Sequence, residues 1–129
     1  MKKSSRSWAL LVMLTAFCSI FALGQQASLI GTWLGTTFVP DVGEDEVTLV
    51  FTDNEGKLAA SMTDTLGMLA DTPCEDIEFQ EGTLTFKFTI PQNMETQTIW
   101  MTLEKEGDQM KGYWETADGE QGDIAFTKR

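Results

Sequence analysis

At 129 residues, with nine basic against twenty acidic side chains and a formal net charge of −11, the chain repels phosphate backbones and anionic bilayers, so neither is expected as a partner. It contains no histidine, which removes Ser–His and Cys–His dyads and the commonest ligand of catalytic zinc.

The first residues read as an export signal. Lys2, Lys3 and Arg6 form a basic start, an apolar run follows over 8–23, and Ala22-Leu23-Gly24 supplies the small side chains that a signal peptidase needs. Cleavage is expected before Gln25, giving a signal peptide over 1–24 and one domain over 25–129, periplasmic or secreted, from a bacterium. The apolar run is shorter than the ~20 residues of a usual spanning helix, which places a retained anchor second. Losing the signal leaves six cations (Lys57, Lys87, Lys105, Lys111, Lys128, Arg129) against all twenty acidic residues, a net charge of −14. Cys18 leaves with the signal, so Cys74 is expected as a single free thiol, small and apolar in character.

From there the hydrophobic period is two, and no segment carries a helical stripe. The first strand is predicted over 29–38, the second over 47–52, and Asp53-Asn54-Glu55-Gly56 turns into a third over 57–63. A fourth covers 74–80, and Glu81-Gly82 leads to the clearest strand, where Leu84, Phe86, Phe88 and Ile90 alternate with Thr83, Thr85, Lys87 and Thr89. The sixth runs over 96–104, a four-residue loop Lys105-Glu106-Gly107-Asp108 joins it to the seventh over 109–116, and the eighth covers 123–128. Across that loop Trp100 is expected opposite Tyr113, Leu103 opposite Met110 and Ile99 opposite Trp114, with Trp100 and Tyr113 outside as a contact patch for a partner.

About eight evenly spaced strands predict an all-β, up-and-down antiparallel barrel, because closure removes both sheet edges. A two-sheet sandwich is the alternative. In a barrel the short turns share one closed end and the longer loops share a mouth, where function usually sits. Phe38, Met62, Leu66, Met68, Leu69 and Met94 fall near that mouth and are the candidate ligand contacts. Asp41, Glu44, Asp45, Glu46, Asp64, Asp71, Glu95, Asp118 and Glu120 fall there too, which favours an apolar guest with a neutral or cationic head. Phe86 and Phe88 are expected as filled core.

Gly31-Thr32-Trp33 at the start of the first strand, followed by an eight-strand meander, resembles the lipocalin-like barrels, or calycins. The chain is more similar still to small uncharacterised bacterial exported domains that open with Gly-Thr-Trp-x-Gly and occur alone or attached to secreted hydrolases. The matching pieces are Gly31-Thr32-Trp33-Leu34-Gly35, Gly56-Lys57-Leu58, Gly82-Thr83-Leu84-Thr85-Phe86, Met110-Lys111-Gly112-Tyr113-Trp114 and Ile124-Ala125-Phe126-Thr127-Lys128-Arg129. The resemblance implies a barrel-base motif in which Gly31 opens the strand and Trp33 lies at the closed end. A cation from the last strand, Lys128 or Arg129, would pack on that indole, and Arg129 completes the motif as read here.

Remaining chemistry is sparse. Only Ser28 and Ser61 remain after the signal, neither in a nucleophile elbow, and the acidic residues sit mostly in turns or on polar faces, so no enzyme is expected. Glu44-Asp45-Glu46 and Asp118-Gly119-Glu120-Gln121-Gly122-Asp123 lack EF-hand spacing, and neither metal nor cofactor is expected. The expectation is an exported barrel holding a small, mostly apolar ligand at its mouth. The alternative is a non-catalytic interaction module, an accessory or inhibitor of an exported enzyme, with a filled core.

Overall fold

The computed structural model describes residues 26–92 and 94–129; the expected signal over 1–24, its cleavage point and Cys18 lie outside the described residues. Nine strands follow in chain order: β1 (Gly31–Val39), β2 (Gly43–Asn54), β3 (Lys57–Asp64), β4 (Thr72–Pro73), β5 (Glu75–Gln80), β6 (Thr83–Gln92), β7 (Glu95–Glu106), β8 (Gln109–Thr116) and β9 (Gln121–Lys128). They form one antiparallel sheet in the order β4-β3-β2-β1-β9-β8-β7-β6-β5, curled into a nearly closed barrel. The all-β barrel is therefore as the sequence predicts, with one strand more than the expected eight.

The extra strand is the two-residue β4, just ahead of the predicted fourth strand over 74–80, which is β5. β4 pairs with β3 (Ser61 with Pro73, Met62 with Thr72), while β5 pairs with β6. Between them the Cys74 N–H donates to the Ala60 carbonyl at 2.9 Å. A single segment thus leaves one edge of the sheet and docks on the other, drawing the two together. A bulge between Glu75 and Glu78, with Asp76 at φ 51°, supplies the bend. Prolines fall where the sheet gives them no ladder to break: Pro73 on the two-residue β4, and Pro91 on the part of β6 that β5 does not reach.

Alternation sorts the side chains. Along β2, Val47, Leu49 and Phe51 are buried, and along β6, Leu84, Phe86 and Phe88. The half of the barrel nearer the termini is solid: Leu29, Trp33, Leu49, Phe51, Leu84, Leu103, Met110 and Phe126 are each no more than 1% exposed. Burying a side chain of this size contributes ~1.5–3 kcal/mol, so these residues dominate the cohesion of that half.

The β7–β8 hairpin departs from expectation. Lys105 and Glu106 stay in the ladder, paired with Met110 and Gln109, and the turn is only Gly107-Asp108, with Gly107 at φ 61°. A glycine at the first position of a two-residue turn matches the twist of the flanking strands better than a four-residue loop. The register shifts by two residues, so every side chain keeps its face while its partner changes. Trp100 faces Glu115 and Lys87, Tyr113 faces Thr102 and Asp123, Leu103 faces Gly112, and Ile99 faces Thr116. Trp100 and Tyr113 are exposed on the outer surface, diagonal to each other and not directly paired.

At the closed end a turn with Leu29 N–H on the Gln26 carbonyl caps the barrel, and the buried Trp33 Nε1 donates to the Leu29 carbonyl at 2.9 Å. The packing cation is Lys128, with Nζ 5.6 Å from the Trp33 ring centroid and 2.9 Å from the Ser28 carbonyl. Arg129 does not fill that place: it is one step out of phase, exposed, and contributes its backbone N–H to the Thr32 carbonyl at 2.9 Å. Gly31 leaves room for the lysine arm, since a Cβ there would stand 3.2 Å from Lys128 Cε.

Candidate functional site

The half of the barrel toward the long loops is hollow. A cavity of about 340 Å³ opens between the turn over 40–42, the loop over 65–71 and the walls of β1, β2, β3, β6, β7, β8 and β9. That lies at the low end of the ~300–1,000 Å³ usual for small-molecule sites. Its floor is apolar: Val47, Met62, Phe88, Met101, Trp114 and Ile124. Phe88 is therefore wall as well as core, whereas Phe86 is core alone.

Of the six residues expected near the mouth, Met62, Met68 and Leu69 line this cavity. Phe38, Leu66 and Met94 do not; all three are exposed, Phe38 because it is out of phase with the inward Thr37 and Val39, Met94 because it occupies the β6–β7 turn at φ 69°.

The indole of Trp114 is fixed from two sides. Its Nε1 donates to Thr37 Oγ1 at 2.9 Å, and Thr37 Oγ1 donates in turn to the Asp123 carbonyl at 2.6 Å. Gly122, directly across the β8–β9 ladder, leaves the space in which the ring lies; a Cβ at that position would stand 2.6 Å from Nε1. The aromatic wall is thus held by a hydrogen bond and by a missing side chain.

Asp45 is the polar group that the sequence reading did not single out. It is 2% exposed, lines the cavity, and forms no ion pair among the described residues. Extending the inward phase of Val47, Leu49 and Phe51 back by two residues would have placed it inside, while Glu44 and Glu46 point out. Its Oδ1 accepts from the Leu66 N–H at 3.3 Å and from Thr65 Oγ1 at 3.4 Å. Beside it lies Asp64, whose Oδ1 accepts from the Leu69 N–H at 2.9 Å while its buried Oδ2 has no hydrogen-bond partner. Together the two carboxyls tie down the loop that carries Met68 and Leu69 over the cavity.

Burial first, then the hydrogen bond and charge of Asp64, raise the Asp45 pKa from 3.8 to about 6, against the weaker pull of the Leu66 N–H and the Thr65 hydroxyl. On the barrel's seam, burial pushes the Cys74 thiol up to about 12, which keeps it unreactive.

An antiparallel barrel with one solid end and one hollow, acid-edged end is what the fold and the site define. No protein-family model matches the chain, and no curated protein matches it. Its fold is similar to that of a redesigned β-barrel, at 16% identity over 81% of this chain and 94% of that one, with a TM-score of 0.51. It is equally similar to a barrel from the de novo design of a fluorescence-activating β-barrel, at 16% identity over 81% and 96%, with a TM-score of 0.52. At this identity the likeness concerns the fold alone.

Proposed function

We propose that this protein is an exported, non-catalytic barrel that holds a small, mostly apolar ligand with a neutral or cationic head in its mouth cavity. The observation that carries the reading is the cavity of about 340 Å³, apolar at its floor and edged by Asp41, Asp45 and Glu120. An apolar hollow left open between well-packed walls contributes little to stability, which favours a binding role for it. The acidic rim disfavours a carboxylate head. The lipocalin-like resemblance supports the same reading. Native mass spectrometry of the protein purified from its own organism tests it: a released mass of small-molecule size is expected, and a bare chain that also fails to bind any apolar probe refutes it. The same spectrum tests export, since loss of residues 1–24 is expected.

The exposed Trp100 and Tyr113 favour the second reading, an interaction module. Trp100→Ala should then weaken self-association or capture of an exported protein; unchanged behaviour would remove its support.

A further inference from the structure

The wall of the mouth cavity is one-sided in charge. Asp41, Asp45 and Glu120 line it, Asp64 abuts Asp45 from β3, and no lysine or arginine reaches it among the described residues. The other acids near Asp45 on the elements packed around it, Glu44 and Glu46 of β2, Asp71 of the covering loop and Asp118 of the β8–β9 loop, are exposed to water. A buried carboxylate that ionises without a cation is unfavourable unless something compensates it. The fold compensates Asp45 with only two long hydrogen bonds to one oxygen, and leaves a neighbouring carboxylate oxygen, Asp64 Oδ2, buried with no donor. One buried acceptor without a hydrogen, Asp64 Oδ2, stands beside Asp45, which lines an apolar hollow.

We propose that Asp45, with Asp64 beside it, seats the ammonium head of a small apolar amine. An ammonium carries three N–H donors and one positive charge. It would thus bring donors and a positive charge to a buried carboxylate held by only two long hydrogen bonds, while its apolar body rests on Met62, Phe88 and Trp114. A divalent cation fits less well, since no group of three metal-ligating side chains occurs among the described residues. The inference rests on the cavity being a ligand site. It adds which group is recognised and couples binding to pH. Below about pH 6 the amine enters as its cation, the Asp45 proton passes to the buffer, and charge balances. Because Asp45 protonates near pH 6, amine affinity should rise about tenfold from pH 5 to pH 7.

The test is calorimetric titration with a rigid matched set: 1-adamantylamine, 1-adamantanol and 1-adamantanecarboxylate. At pH 7 the amine should bind about tenfold or more tighter than the alcohol, as a charge-assisted hydrogen bond warrants. The carboxylate should bind weakest. At pH 5.5, titrations in buffers of different ionisation enthalpy should show net proton release for the amine and none for the alcohol. Asp45→Asn should abolish both the preference and the proton release, and Asp64→Asn should weaken the preference. Equal binding of amine and alcohol, or a preference that survives Asp45→Asn, would overturn the seat but leave the cavity as a ligand site. Failure of all three probes on folded protein would overturn both.

Discussion

Replacing Asp45 with asparagine should stabilise the protein, and by an amount that depends on pH. In the folded chain Asp45 protonates at about 6, against 3.8 in the open. The folded state therefore holds more protons than the unfolded state between those values, and stability falls as pH rises through them. The contribution is complete below about pH 4 and lost above about pH 6. A shift of this size corresponds to ~3 kcal/mol at full strength; with the pair beside an open mouth, solvent screening brings the working figure to ~1–2 kcal/mol. Asparagine keeps an acceptor for the Leu66 N–H and the Thr65 hydroxyl and brings an N–H₂ that can serve Asp64 Oδ2. Urea unfolding followed by tryptophan fluorescence at pH 4.5, 6 and 8, on both proteins, isolates Asp45 and its neighbour Asp64, because the carboxylates remote from the pair cancel in the difference. Stability of Asp45→Asn relative to wild type should grow by ~1–2 kcal/mol from the lowest to the highest pH. A flat difference, or one that shrinks with rising pH, would show that Asp45 is not an uncompensated acid.

Gly122→Ala should push the Trp114 indole off its seat, breaking its bond to Thr37, at ~1–3 kcal/mol and with a shift in tryptophan emission; an unchanged spectrum and unfolding midpoint would count against the packing described. Glu55 and Glu81 hold φ of 54° and 51° ahead of Gly56 and Gly82, a conformation that asparagine adopts more readily. Glu55→Asn and Glu81→Asn should each raise stability by ~0.5–1 kcal/mol in denaturant titrations. Lys128→Ala should cost ~1–2 kcal/mol by loss of the contact with Trp33 and of the bond to the Ser28 carbonyl, whereas Arg129→Ala should stay within ~0.5 kcal/mol; equal losses would contradict the assignment of the base cation.

Period-two alternation carried the fold, because in an antiparallel barrel each strand repeats one inside–outside rule. β6 and β8 were legible to within two residues for that reason. Turn geometry was harder to read: Lys105-Glu106-Gly107-Asp108 looks like a loop in composition, yet only its last two residues turn, since ladder bonds and a glycine with positive φ outweigh charge. The two-residue β4 ahead of the strand over 74–80 was not legible, because it depends on which two edges happen to meet. The site was half visible. Met62, Met68 and Leu69 could be placed by strand end, but Phe38 and Leu66 required the phase of each chain segment as well. Asp45 was hidden by its neighbours: in Glu44-Asp45-Glu46 three acids look alike, and only the extension of β2 beyond Val47 turns the middle one inward.

The pairing of β1 with β9, from Trp33 with Lys128 to Thr37 with Ile124, joins strands from opposite ends of the domain, so the ring cannot close until its final stave is present. A chain that stops in the loop over 117–120 keeps β1 through β8 but bares the flank of β1 and the flank of β8, a slot one strand wide. Such a slot is filled most readily by its own missing piece, supplied in trans as a short peptide or borrowed from a second molecule. The order of synthesis thus makes β9 the closing stave and gives the barrel a natural point at which it can be split and reassembled.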